Sequence, residues 1–304
     1  MTSIILAIVP VFLLIFLGFG LRARAVLAEG FWKPAERLTY FILFPALLVT
    51  TLGGADLAGL DVGGMAGAVG AAILVMAFAA LGAGTALKLD GPALTSLFQG
   101  AVRQNTYIGL AVSFGVFGAD GLAAAALAVA VIVPLVNVLS VAMLARFGHG
   151  ARPTLIGTAR RMAENPLIIA CVIGIGLNLA GLGLPPVVAP LLEILANGAL
   201  PLGLLTVGAG LDIKAARAGG KTVGAAVCLK LVALPVITAL ACWTFGVSGI
   251  AAFVAVLFNG TPSAPTSYIL ARQLGGDARL MASIITVQTG LALITLPVAL
   301  TFLV

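Results

Sequence analysis

Two short stretches hold most of the residues that can do chemistry. Arg103-Gln104-Asn105-Thr106 and the ten residues from Phe258 to Ser267 (FNGTPSAPTS) set amides, hydroxyls and a guanidinium inside long apolar runs. Pro262 and Pro265 each remove a backbone donor and Gly260 loosens the chain, so no regular helix can pass through the second stretch. In hydrocarbon, backbone groups freed this way persist only where protein or a water-filled cavity surrounds them. Half-helix ends and unwound carbonyls in such a place can bind ions or polar solutes.

Asn105 opens the run toward Gly118, where free N–H groups and the positive end of the helix dipole favour an anion. Its amide can donate to a carboxylate and accept from a hydroxyl. It can also simply cap the helix, and the two roles are compatible. Thr261 and Ser263 bracket Pro262 as mirror-image donors, with Asn259 just ahead; bonding of their hydroxyls to freed carbonyls is the competing reading. The expected substrate contacts are thus Asn105, Thr106, Asn259, Thr261, Pro262 and Ser263, with Arg103 and Gln104 beside them. Arg103 and Lys230 are the only cations deep in apolar segments. Buried charge in a membrane defaults to function, so Arg103 is expected either to draw in an anion or to tie the carbonyl end of the first half-helix. Lys230 has no break beside it in the sequence and reads as structural. Asn137 and Gln288 are further candidates, to line the breaks from behind or to satisfy their backbone. Asn178 reads as a cap near the outer end of its helix.

The elements that must position these groups are membrane-spanning helices. Of 304 residues, 62% are hydrophobic and 9% charged, against about 45–50% apolar and about 25% charged in soluble chains. Ten spans of about 20 residues can be placed at 2–21, 37–53, 62–87, 92–117, 120–145, 164–181, 186–211, 221–245, 248–273 and 278–303. Met1 to Leu21 lacks a basic leader and reads as a retained first span. The Gly59, Gly63, Gly67 spacing suits close helix packing. Arg22, Arg24, Lys33, Arg37, Lys88, Arg146, Arg152, Arg160, Arg161, Lys214, Arg217, Lys221, Arg272 and Arg279 all lie in or beside alternate loops, on one face. By the positive-inside rule that face is cytoplasmic and both termini lie outside.

The two halves repeat. Pro10, Gly18 and Gly20 return as Pro166, Gly174 and Gly176, and Pro45 as Pro201, each 156 residues on; Asp120 returns as Asp277, and Asn105 meets Pro262, 157 residues on. Five spans per copy is an odd number, so the second copy enters from the opposite side, the inverted repeat of many secondary transporters. The expected division is a first five-helix repeat over 1–146, a cytoplasmic connecting loop over 147–163 and a second, inverted repeat over 164–304.

Other chemistries are excluded by what is missing. There is no phosphate-binding loop and no H-E-x-x-H, which the single His149 could not build. Cys171, Cys228 and Cys242 lack metal spacing, and Ser263 has no partner histidine for a triad. Glu164, Glu193 and Asp212 fall near helix ends, so no carboxylate pair sits mid-membrane. Neither an enzyme, a metal or cofactor site nor a nucleic-acid partner is expected; the lipid bilayer is.

Over essentially its whole length the chain resembles the auxin efflux carrier family, including its bacterial malonate and malate permease-like members. The resemblance is carried by Gln104-Asn105-Thr106-Tyr107-Ile108-Gly109, Asn165-Pro166-Leu167-Ile168, Pro201-Leu202-Gly203-Leu204-Leu205, Gly208-Ala209-Gly210-Leu211, and Pro262 to Gln273 ending Ile269-Leu270-Ala271-Arg272-Gln273. It implies a fold similar to bile-acid symporters and sodium/proton antiporters. Spans 1, 2, 6 and 7 would form a scaffold, spans 3–5 and 8–10 a moving transport domain, and interrupted spans 4 and 9 would cross within it. The implied function is elevator-type transport of a small organic anion, a mono- or dicarboxylate or an auxin-like weak acid, across a bacterial inner membrane. The resemblance leaves room for a homodimer through the scaffold. Asn105 and Pro262 carry over as crossover residues; plant carriers have proline where this chain has Gln104. The bile-acid symporters' acidic sodium ligand has no counterpart in Phe258–Ser267. A sodium cotransporter and a channel-like anion pore are the alternatives.

Overall fold

Apolar runs broken by proline, glycine and capping acids fold here as an all-helical, multi-pass membrane protein. The computed structural model describes residues 2–55, 61–150, 157, 160, 162–217 and 220–304; Gly59, Arg152 and Arg161 of the sequence reading lie outside them. Among the described residues there is no strand.

Among the described residues, seven helical runs are long and apolar enough to cross a membrane. They are α1 (Thr2–Ala23), α2 (Glu29–Gly54), α3 (Val62–Ala86), the run Gly91–Phe147, α7 (Val188–Ala209), α9 (Lys221–Phe245) and α12 (Ala278–Phe302). The run Gly91–Phe147 divides into α4 (Gly91–Val102) and α5 (Thr106–Phe147), and α5 turns sharply at Gly118, whose φ of 58° a side chain rarely adopts. Two of the expected spans therefore share one run. Pro166–Leu179 (α6) and Gly249–Gly260 (α10) are apolar but short; Ile213–Arg217 (α8) and Thr266–Leu274 (α11) complete the elements.

Local sequence explains the boundaries. Asp61, Asp90 and Asp277 cap α3, α4 and α12 by accepting from the N–H groups of Gly64, Ala93 and Leu280. Ahead of Pro45 and Pro235, where an ordinary helical bond would be lost, the backbone widens into π turns at Thr39–Leu43 and Cys228–Ala233. The second turn contains Lys230, which is not in a regular α-turn although α9 runs unbroken from Lys221 to Phe245. Asn178 is not a cap of its own helix: its amide donates to the Leu52 and Ala55 carbonyls and closes the end of α2.

α1, α2, α6 and α7 pack against one another, while α3, α9, α10, α12 and the body of α4 and α5 form a second set of neighbours. Two glycines set the closest approach. A Cβ at Gly18 would strike the Leu205 carbonyl, and one at Gly208 the Ile15 carbonyl, so α1 and α7 touch backbone to backbone. The repeated second glycines, Gly20 and Gly176, face open space.

Candidate functional site

The two interruptions meet. Between α4 and α5 the chain is extended at Arg103 and Asn105, and between α10 and α11 it is extended at Thr261. The Asn105 N–H donates to Thr261 Oγ at 3.1 Å, and the Thr261 hydroxyl donates to the Phe258 carbonyl at 2.7 Å. Gln104 Nε2 donates to Asn259 Oδ1 at 2.7 Å, and Asn259 Nδ2 donates to Thr238 on α9 at 2.8 Å. Gly109, one turn into α5, leaves room for the Phe258 ring, which a Cβ there would strike.

Behind this contact Gln288 of α12 serves three backbone groups. Its carbonyl accepts from Ser263 N–H at 2.9 Å, and its amide donates to the carbonyls of Gly100 (2.9 Å) and Ala226 (3.0 Å). The Ser263 hydroxyl also donates to Gly100 O at 3.0 Å. Gly100 lies in the last turn of α4 and Ser263 in the second break, where backbone groups lack helical partners and in lipid must be satisfied from within.

In front of it lies a cavity of about 620 Å³. Arg103, Gln104, Asn105 and Thr106 line it from one break, and Ala264, Pro265 and Thr266 from the other. Tyr40, Phe41, Tyr107, Ile132, Val136 and Leu167 supply an apolar and aromatic wall, and Lys33, Glu36 and Arg37 also border it. The Phe44 ring stacks on Tyr107 with centroids 4.5 Å apart, joining α2 to the start of α5.

Asn105 does two things at once. Its Oδ1 accepts from the N–H groups of Tyr107 (3.1 Å) and Ile108 (3.3 Å), which caps α5, while its Nδ2 has no partner. Arg103 does not tie the carbonyl end of α4, as one sequence reading had it. It reaches Asn137 Oδ1 on α5 at 3.0 Å and Thr266 Oγ at the start of α11 at 3.1 Å, leaving its Nε unpaired. A guanidinium so placed, with an unpaired amide donor two residues on, suits a carboxylate.

The sequence-derived candidates thus separate by position. Arg103, Gln104, Asn105, Thr106 and Asn137 border the cavity. Asn259, Thr261, Ser263 and Gln288 are fully buried behind the crossing, each bonded to protein. Pro262 stands in the break between Thr261 and Ser263. Sequence reasoning passed over Tyr40, Tyr107 and Thr266. Thr266 lies inside Phe258–Ser267 and Tyr107 inside Gln104–Gly109, and the π turn that carries Tyr40 is signalled by Pro45.

The family described as membrane transport protein matches residues 3–300. Among individual proteins, an uncharacterized transporter of Methanothermobacter thermautotrophicus (strain Delta H) is similar, at 26% identity over 297 residues that cover 95% of each chain.

Proposed function

The chain belongs to the membrane transport protein family, that of the auxin efflux carriers, and from that premise we propose that it is a secondary carrier of small organic anions working by an elevator-type motion. The observation that carries this reading is the cavity that runs to the unwound backbone at Arg103–Asn105 and to Ala264, Pro265 and Thr266 at the start of α11. The anion's carboxylate meets Arg103 and the free amide of Asn105, and its body lies against Tyr40, Tyr107 and the aliphatic wall. Because that wall is largely apolar, a carboxylate with an apolar body fits better than a compact dianion.

Lys33 and Arg37 belong to the basic face, so the cavity opens to the cytoplasm if that face is inside, and both termini then lie outside. We assign the chain to a bacterial inner membrane on the same reading. The helices divide as two inverted repeats, 1–146 and 164–304, and the mutual packing of α1, α2, α6 and α7 supports their role as a fixed scaffold. Asn259, Thr261, Ser263 and Gln288 hold the crossing together, and substrate contact falls to the cavity-facing set.

The test is counterflow in proteoliposomes with radiolabelled malonate, malate and indole-3-acetate. Saturable counterflow of at least one is expected. Linear flux with unitary currents would make the protein a pore, a strict sodium requirement would make it a sodium symporter, and no counterflow of any carboxylate would sink the reading.

A further inference from the structure

Lys230 stands outside the cavity and has no part in the site around Arg103 and Asn105. Its side chain is fully buried and its Nζ has no hydrogen-bond partner. It lies in the π turn Cys228–Ala233 of α9, against which α3, α4, α10 and α12 pack. α3, α4 and α10 carry no titratable or charged side chain. α12 carries only Arg279, in its first turn. α9 itself adds Lys221 at its start and the thiols of Cys228 and Cys242. The carboxylates nearest in sequence to these elements are the caps Asp61, Asp90 and Asp277, each already accepting from the first turn of its own helix.

An ammonium held in such a place without a partner is costly, and the free amine costs far less. Two features pull the other way. α4 and α10 both end at the crossing and both pack on this turn, and the carbonyl end of a helix attracts a cation. Gln99 of α4 is also fully buried with both amide atoms unpartnered. A polar path leads toward α9 from the cavity as well, from Gln104 through Asn259 to Thr238, two turns beyond Lys230 on the same helix. The surroundings therefore suit a group that carries its proton at one stage and sheds it at another.

We propose that Lys230 is a proton-exchange site of the transport cycle, which rests on the reading that the chain carries organic anions. The amine takes up one proton from water before the anion enters the cavity and returns it to water after the anion has left. Anion and proton then cross together, and the loaded carrier gains no net charge.

The test needs no substrate. Full-length protein in proteoliposomes on a solid-supported membrane is given a step from mildly alkaline to mildly acidic solution with no carboxylate present. Wild type is expected to give a transient charge displacement that is lost in Lys230→Met, which fills the same space without a titrating group. Lys230→Gln is the second variant should Met fail to insert, and thermal melting of each sample checks folding. A displacement of wild-type size in either folded variant, or none in wild type, overturns the proposal. A displacement with no counterflow of any carboxylate would leave the proton site standing and remove the transport reading instead.

Discussion

The backbone N–H of Asn105 donates to the hydroxyl of Thr261 across 3.1 Å, joining residues 156 positions apart. That bond fastens the start of α5 to the end of α10, where both helices have lost their own hydrogen bonds. The Asn105 side chain then caps α5, and its Nδ2 remains without a partner beside the cavity. One residue thus belongs to the frame and, on the proposed function, to the binding site.

Capping and binding at Asn105 can be separated by substitution. Asn105→Asp keeps the accepting oxygen and places a negative charge at a helix N-terminus, which contributes about 0.3–1 kcal/mol. Its melting midpoint should equal or exceed that of wild type, while carboxylate counterflow falls at least tenfold because the charge repels the anion. Asn105→Ala should lose both, with about 1 kcal/mol of stability gone with the cap. Counterflow of wild-type rate in the Asp variant would remove Asn105 from the binding site.

Thr261 holds the crossing without facing the cavity. Thr261→Val preserves shape but leaves the Asn105 N–H without its acceptor, at a cost of about 1–3 kcal/mol. Thr261→Ser should restore most of that stability. Melting in detergent reads the difference, and equal midpoints for Val and wild type would contradict the bond.

Arg103 binds Asn137 and Thr266 through two different nitrogens. A lysine keeps the charge but cannot span both acceptors. Arg103→Lys is expected to raise the KM for the transported carboxylate several-fold, and Arg103→Gln to abolish its counterflow. Unchanged kinetics in the Gln variant would show that the charge plays no part.

Losing Gln288 leaves the buried Ser263 N–H without its acceptor and takes one donor each from the Gly100 and Ala226 carbonyls, of which Gly100 keeps the Ser263 hydroxyl, so Gln288→Leu should be strongly destabilising. Each buried group left without a partner costs about 1–3 kcal/mol, and the losses are not additive. Poor membrane yield and early melting are the readouts, with Gln288→Glu, which keeps the acceptor for Ser263, falling between.

Repeated glycines should behave differently within one motif. Gly18→Ala drives a methyl into the Leu205 carbonyl and should cost about 1–3 kcal/mol. Gly20→Ala meets open space and should be neutral or gain up to about 1 kcal/mol from helix propensity. Thermal melting of the two variants checks the contrast.

Much of this protein is written locally. Apolar run length marks the helices, Pro262 and Gly260 mark a break, and Asp61, Asp90 and Asp277 mark helix starts, because hydropathy, missing donors and capping are properties of a residue and its near neighbours. The basic loops are local in the same sense. Even the prolines behind the two π turns stand in plain view, although the turn around Lys230 went unread because its proline lies five residues on.

What the residues at the breaks do was decided only by the fold. Asn259, Thr261 and Ser263 have the same chemistry as Asn105 and Thr106, and nothing in their spacing separates the two groups. The tertiary arrangement turns the first three inward, onto partners on α4, α5 and α9 or the chain beside them, and leaves Asn105 and Arg103 against a cavity. A buried polar group takes whichever partner the packing brings to it. For Gln104 that partner lies 155 residues away, a distance along the chain over which no local pattern carries information.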